Sequence, residues 1–140
     1  MDVREDVVDI IAGFSLFSDL SAQELDRIVQ LFDEAWFAEG EKILRQGFSG
    51  SGFYVILDGS AVIRIDGVER TVLRAGDYFG EISVLLGVPP VADIVAQGAL
   101  RCLVLPGDQL ESLLVAHPKM MFRLLQGEAR KLRGTTKWQS

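Results

Sequence analysis

The stretch that decides the fold runs from Gly76 to Ala92 and reads Gly-Asp-Tyr-Phe-Gly-Glu-Ile-Ser-Val-Leu-Leu-Gly-Val-Pro-Pro-Val-Ala. Gly80 stands where the backbone must approach another group closely, because glycine has no Cβ to block that approach. The next residues, Glu81, Ile82 and Ser83, begin a short helical turn whose amides converge on one point. Such amides attract an anion, and the adjacent Glu81 carboxylate suits a sugar hydroxyl. The stretch therefore indicates a nucleotide site.

This stretch, which we call the cassette, resembles the phosphate-binding cassette of the cyclic nucleotide-binding domain family. The family's pattern is Phe-Gly-Glu, a small residue two positions later and, after a short turn, Pro-Arg-(Ala/Ser/Thr)-Ala. The matching residues of this chain are Phe79, Gly80, Glu81, Ser83, Pro89 and Ala92. The resemblance covers roughly Leu16 to Lys137, and it implies a regulatory module that binds a cyclic nucleotide.

The chain departs from that pattern at the residue that would pair with the cyclic phosphate. Pro90 stands where the family has arginine, and Val91 replaces the small residue after it. Arginine brings a charge and a bidentate donor, whereas proline brings neither and also lacks a backbone N–H. We therefore expect weak or absent binding of cAMP and cGMP, while the backbone amides and the Ser83 hydroxyl keep some affinity for another small anion.

Other polar residues near the cassette have structural alternatives. The Ser83 hydroxyl either donates to a phosphate or caps the start of the helical turn. Asp77 follows a turn glycine and is expected to be structural. Arg70 and Arg74 belong to a neighbouring predicted strand, and the sequence places neither in the pocket.

Hydrophobic periodicity predicts helices at both ends of the chain. One short helix is expected at 2–12, and the capping box from Ser21 to Glu24 opens a second helix. Asp108 is expected to cap a helix that runs to about Ala116, and Pro118 to begin the final helix. In that last helix Met121, Leu125 and Leu132 share one apolar face, while Gly127 and Gly134 each weaken it by about 1 kcal/mol relative to alanine.

Between these helices the sequence has the pattern of short strands. They are predicted at 43–44, 53–57, 61–65, 68–73, 92–96 and 100–105, with a hairpin turn at Asp66-Gly67. We predict an α+β, mainly β fold: an antiparallel β-roll, or jelly-roll-like double-stranded β-helix, flanked by N-terminal and C-terminal helices. The single domain spans 1–140, with helices at 1–33, the roll at 34–105 enclosing the cassette at 76–92, and helices at 106–140.

Composition narrows the functional classes. The chain has 140 residues, 49% of them hydrophobic, one cysteine and a net charge of −6. Residues 1–122 carry 9 Lys+Arg against 19 Asp+Glu, so this acidic body does not favour direct nucleic-acid binding. Apolar runs are too short for a membrane span and no secretory signal is visible, so we expect a cytoplasmic location.

The residues that usually carry catalysis are scarce. His117 precedes a proline at a helix junction, which favours a cap or loop role, and Cys102 sits in an apolar strand. One histidine and one cysteine do not make a typical zinc site, and no nucleophile-elbow motif occurs. We therefore predict no enzyme activity, no metal and no cofactor.

The end of the chain carries three further candidates. The resemblance implies that Thr135 and Thr136, on the last helix, reach a purine, with an exposed helix end as the alternative. Trp138 either folds over a base as an aromatic lid or covers a hydrophobic edge or a dimer contact.

Two functional hypotheses stay open. In the first, the roll binds a cyclic nucleotide or another small anion at Gly80, Glu81, Ile82, Ser83, Pro90, Val91, Ala92, Thr135 and Thr136, and the last helices move. In the second, the pocket is degenerate and the module acts in protein interaction or forms a homodimer through the C-terminal helix.

Overall fold

A computed structural model describes residues 3–48 and 50–137. The described elements, in chain order, are α1 (Val3–Ile11), α2 (Ala22–Val29), β1 (Asp33–Phe37), β2 (Lys42–Leu44), β3 (Gly52–Ile65), β4 (Val68–Arg74), β5 (Tyr78–Phe79), α3 (Glu81–Leu86), β6 (Asp93–Pro106), α4 (Leu110–Ala116) and α5 (Pro118–Lys137). Short 3-10 turns at Ser15–Phe17 and Gly107–Gln109 precede α2 and α4. The fold is an antiparallel β-roll flanked by helices, as predicted.

The predicted start of α2 is confirmed atom by atom. The Ser21 hydroxyl accepts from the Glu24 backbone N–H at 3.1 Å, and the Glu24 carboxylate accepts from the Ser21 N–H at 3.0 Å. This reciprocal pair satisfies two amides that a helix start leaves without partners. Leu25, Ile28 and Val29 then point into the core, so the cap fixes where the buried stripe of the helix begins.

The roll is built on two long antiparallel strands, β3 and β6. Strand order is β1-β6-β3-β4, while β2 pairs with β6 and β5 pairs with β3. The sequence predicted each long strand as two short ones, and this division is wrong. In β3 a bulge at Gly59, with φ of +92°, lies where the sequence predicted a break between two strands. A Cβ there would lie 2.4 Å from the Ala99 carbonyl oxygen, so glycine lets β3 and β6 stay paired through the bulge.

The Asp66-Gly67 turn between β3 and β4 is confirmed. Both residues have positive φ, +53° and +77°, which is the geometry that a tight two-residue hairpin requires. The Gln46 side chain holds this turn by accepting from the Asp66 N–H at 2.9 Å and donating to its carboxylate at 3.0 Å.

Alternation along β3 divides the core into two layers. Phe53, Val55 and Leu57 face the flanking helices, whereas Ile56 faces the interior of the roll with Cys102 of β6. Burial raises the pKa of the Cys102 thiol to about 12, so it stays protonated as a core residue. Within residues 3–48 and 50–137, no helix combines the length and the apolar composition needed to cross a membrane.

The C-terminal helices begin as predicted in one case and not in the other. Pro118 begins α5, whereas Asp108 lies in the 3-10 turn and α4 begins at Leu110 after Gln109, which makes no side-chain cap bond within the described part of the chain. His117 ends α4, where its backbone N–H donates to the Leu113 carbonyl at 3.0 Å. The expected cap or loop role of this histidine is confirmed.

Candidate functional site

A cavity of about 540 Å³ lies between the roll, the cassette and α5. Its volume is typical of small-molecule sites. Most of its lining is apolar and comes from Leu44, Ile63, Ile65, Val72, Leu73, Phe79, Ile82, Pro90, Val91, Ala92 and Ile94. Polar side chains also contribute to the lining, among them Glu81, Tyr78 and Lys131, which contact one another.

Gly80 sets the geometry of the cassette. It is the N-cap of α3 with φ of +90°, and a Cβ would lie 2.1 Å from the Gly52 carbonyl oxygen. The close approach predicted from the sequence is therefore made to the neighbouring strand β3, and the short helix that follows is confirmed. Gly80, Glu81, Ile82 and Ser83 all line the cavity, so the structure brings this part of the predicted site together.

Glu81 is a buried carboxylate, only 2% exposed. Its Oε1 accepts from the Lys131 ammonium of α5 at 2.8 Å. Its Oε2 is also buried and has no hydrogen-bond partner among the described residues. Because a buried charge is costly without a partner, Lys131 is the group that makes an ionised Glu81 tolerable in this position.

Lys131 also contacts Glu128 and the ring of Tyr78. Its Nζ lies 3.4 Å from Glu128 Oε1 and 4.8 Å from the centroid of the Tyr78 ring. Burial, followed by the neighbouring Glu81, raises the pKa of Glu128 to about 7. Partial burial alone would lower the pKa of Lys131, but its attraction to Glu81 and Glu128 raises it. One half-exposed cation thus ties α5 to the cassette across two carboxyl groups.

Tyr78 makes a second connection to α5. Its hydroxyl donates to the Leu124 carbonyl at 3.1 Å, and burial raises the pKa of Tyr78, so it remains a donor. A Cβ on Gly127 would lie 2.1 Å from this hydroxyl. From the sequence, Gly127 was expected only to weaken the helix, but the structure shows that its missing side chain makes room for Tyr78.

The lining of the cavity contains Pro90 in place of the family's arginine. Pro90 is buried, and its carbonyl accepts from the Gly47 N–H at 2.9 Å. Val91 is half-exposed and Ala92 is buried, and all three residues line the cavity. These three side chains therefore offer methyl and methylene groups where an arginine would offer a bidentate cation.

Two polar residues of the cassette are occupied by local contacts. The Ser83 hydroxyl donates to the Val88 carbonyl at 2.5 Å, so it closes the loop after α3 and does not cap the helix start. The Asp77 carboxylate accepts from the Arg74 N–H at 2.8 Å, which confirms its expected structural role. Ser83 has thus committed its one O–H, which leaves fewer donors for an anion than the sequence suggested.

The remaining candidates divide between the cavity and the chain end. Arg70 reaches the lining, although it is exposed, whereas Arg74 lies outside the lining that the described residues form. Thr135 and Thr136 belong to the last turns of α5, but their side chains are outside the described part, as is Trp138 altogether. Among the described side chains of α5, the lining contains Lys131, which the sequence analysis missed. Its position in the last helix, one turn before these threonines, was the available signal.

A family model described as the cyclic nucleotide-binding domain matches residues 34–117. The chain belongs to the cyclic nucleotide-binding domain family. A curated relative, the cAMP-dependent protein kinase regulatory subunit of Mucor circinelloides f. lusitanicus, is 34% identical over an alignment of 103 residues, with 71% of this chain and 24% of the relative covered. This chain therefore spans about a quarter of that relative's length.

Solved structures of the family have the same fold. The catabolite activator protein of Thermus thermophilus has a TM-score of 0.78 and 28% identity, with 87% of this chain and 60% of that chain covered. The regulatory subunit of a cAMP-independent protein kinase A from Trypanosoma brucei has a TM-score of 0.76 and 26% identity, with 89% and 46% covered. That structure is of a variant with three substitutions, to alanine, arginine and alanine, and has cAMP bound in its A site.

Proposed function

We propose that this domain is a regulatory small-molecule sensor in which the occupant of the cavity is reported by α5. The observation that carries the proposal is the 2.8 Å ion pair between Glu81 of the cassette and Lys131 of α5. A binding site becomes a sensor only when ligand affinity differs between two states of the protein. The position of Lys131 supplies such a difference.

The two states follow from competition for one carboxylate. While Lys131 holds Glu81, the second half of α5 is docked on the cassette. A ligand that brings its own hydrogen-bond donor to Glu81 replaces Lys131, because a buried carboxylate needs a donor but does not require this particular one. Ligand binding and docking of the second half of α5 then oppose each other, which makes helix position a readout of occupancy.

The same cavity is expected to bind cAMP and cGMP weakly or not at all. Pro90 provides neither charge nor N–H at the position where the family pairs arginine with phosphate. A hydrogen bond to a charged group contributes roughly 1.5–3 kcal/mol, so losing a bidentate pair costs about one hundredfold or more in affinity. The Trypanosoma brucei subunit, described as cAMP-independent and bound to cAMP in a variant that gains an arginine, supports this interpretation.

Calorimetric titration tests the assignment of Pro90. The native chain is expected to give no measurable heat with micromolar cAMP or cGMP, and Pro90→Arg combined with Val91→Ala is expected to raise cAMP affinity at least one hundredfold. Val91→Ala alone is the matched control, because it enlarges the cavity without adding charge. Submicromolar binding of cAMP by the native chain would refute the role given to Pro90.

A second candidate function is protein interaction through α5. Met121, Phe122, Leu125 and Leu132 leave an apolar face exposed on this helix, which suits a homodimer or another protein partner. Light scattering at micromolar concentration is expected to show a dimer that Leu125→Glu converts to a monomer. A monomeric native chain, with a mass unchanged by Leu125→Glu, would remove the homodimer from consideration.

Several properties belong to this proposal as predictions. The module is not an enzyme, binds no nucleic acid directly and works in the cytoplasm as a single domain over 1–140. The ligand-contacting residues are proposed to be Gly80, Glu81, Ile82, Ser83, Pro90, Val91, Ala92, Thr135 and Thr136, with Lys131 now added as the competitor for Glu81.

A further inference from the structure

We infer that this cavity selects an uncharged, largely apolar molecule over an anion. The inference rests on the proposed function, since it names the ligand class of the same site. It narrows the possible ligands beyond the expectation of a cyclic nucleotide or another small anion, and the reasons lie in how charge and apolar surface are distributed around the cavity.

The charged residues of the lining do not favour the binding of an anion. Among the described residues, the lining contains two cations, Arg70 and Lys131, and two carboxylates, Asp77 and Glu81. Lys131 is already shared between Glu81 and Glu128 at 2.8 and 3.4 Å. A ligand anion that approached this wall would therefore meet buried negative charge and would have to compete with two carboxylates for Lys131.

Arg70, the other cation of the described lining, is poorly placed to compensate. It contributes to the lining but is exposed to solvent. An exposed guanidinium is screened by water and salt, so its attraction for an anion is modest. The amides at the start of α3 also attract negative charge, but that helix has only six residues and carries the Glu81 carboxylate in its first turn.

The apolar side chains of the lining penalise an anion further. A charged group placed against Pro90, Val91 and Ile82 would lose hydration and gain no hydrogen-bond donor from their side chains. An uncharged apolar group would instead remove both its own surface and these side chains from water, which is favourable by roughly 25 cal/mol per Å². The same residues therefore disfavour one ligand class and favour the other.

A pair of dyes separates the two classes without knowledge of the natural ligand. N-phenyl-1-naphthylamine is uncharged and has one N–H donor, and 8-anilinonaphthalene-1-sulfonate shares its ring system but carries a sulfonate. Fluorescence titration of the full chain at roughly physiological salt is expected to give a dissociation constant at least about tenfold lower for the uncharged dye. Pro90→Arg with Val91→Ala is expected to narrow or reverse that ratio.

Two substitutions on β4 test whether the fluorescence change comes from dye bound in the cavity. Val72 lines the cavity, so Val72→Trp is expected to abolish binding of the uncharged dye, whereas Val68→Trp, on the same strand but outside the described lining, leaves it unchanged. Circular dichroism and urea unfolding check that each variant folds. Ile82→Trp provides an independent block from α3 if Val72→Trp does not fold.

The possible outcomes separate the ligand class from the sensing proposal. Cavity binding of the sulfonate dye as tight as, or tighter than, that of the uncharged dye overturns the ligand class but leaves a functional cavity. If Val72→Trp and Ile82→Trp leave the binding of both dyes unchanged, neither dye binds in the cavity. The sensing proposal then fails together with the inference.

Discussion

The two halves of α5 are attached to the rest of the molecule in different ways. In the first half, Met120 and Leu124 are part of the core and are only 0% and 4% exposed. The Arg123 guanidinium also donates to both carboxylate oxygens of Asp19, at 2.7 and 3.0 Å. In the second half, Leu125 and Leu132 are 60% and 68% exposed. This half meets the cassette through Lys131, Glu128 and the space left by Gly127.

This difference shows which part of the helix can respond to the cavity. Displacing the first half would expose core side chains, and each buried methionine or leucine is worth roughly 1.5–3 kcal/mol. Displacing the second half breaks one partly exposed ion pair and a few polar contacts. Events at Glu81 therefore bear on the second half, while the first half remains a fixed part of the fold.

The largest expected effect contrasts two adjacent methionines in the first half. Met120→Ala removes a fully buried side chain and should lower the free energy of unfolding by about 3 kcal/mol. Met121→Ala changes a partly exposed side chain and should cost less than about 1 kcal/mol. Urea unfolding measures both, and equal losses would show that the core face of α5 has been assigned incorrectly.

The next largest effect on the free energy of unfolding, about 2 kcal/mol, is expected at Gly127 of α5. Alanine normally stabilises a helix relative to glycine by about 1 kcal/mol. Gly127→Ala should nevertheless lower the free energy of unfolding by about 2 kcal/mol, because its Cβ meets the Tyr78 hydroxyl. In Gly134→Ala the added Cβ would have no atom of the described residues within 4 Å, so this substitution should raise stability.

A third variant checks the cause assigned to Gly127. Adding Tyr78→Phe removes the hydroxyl that the new Cβ at this position would meet, so it should recover part of the loss caused by Gly127→Ala. If Gly127→Ala is as stabilising as Gly134→Ala, the close contact at Tyr78 does not constrain the helix.

A smaller effect, on the order of 1 kcal/mol, concerns pH. Since the pKa of Glu128 is raised to about 7, protonated Glu128 is favoured by folding, and its contribution is lost as pH rises from about 5 to 8. Asp19, Glu24 and Asp93 have lowered pKa values, so their contributions are lost only at more acidic pH. The free energy of unfolding should therefore decrease between about pH 5.5 and 8, and Glu128→Gln should flatten that dependence.

The opposite slope in the native chain, or an unchanged slope in Glu128→Gln, would contradict this assignment. The groups that face Glu128 include Glu81 from α3, Tyr78 from β5 and Lys131 from its own helix, so all three must be retained in the comparison.

The features that the sequence predicted well are determined by interactions between residues close together in the chain. The Ser21–Glu24 cap, the Asp66-Gly67 turn and the short helix after Gly80 each depend on local backbone geometry and local hydrogen bonds. The pattern of short strands with the Asp66-Gly67 turn likewise predicted the roll, although it divided β3 and β6. These features needed no knowledge of distant neighbours.

What the sequence could not predict depends on residues that are far apart in the chain. Glu81 and Lys131 are separated by 50 positions, and neither residue type by itself specifies the other as its partner. Gly127 is explained only by Tyr78. The unbroken course of β3 depends on Ala99 facing Gly59. The cassette residues of the candidate site could therefore be predicted from the sequence, whereas the pairing of Lys131 with Glu81 could not.

The central claim, that Lys131 couples the cavity to the second half of α5, is tested most directly by amide hydrogen exchange. Lys131→Met keeps most of the side-chain stem and removes the charge, and Arg133→Met removes an exposed cation from the same half. We predict that Lys131→Met lowers the protection of amides 125–134 by about fivefold or more, roughly 1 kcal/mol, and leaves 118–124 within about twofold. Arg133→Met should leave both segments unchanged. Equal loss of protection in both halves, or no loss in either, would contradict the coupling through Lys131.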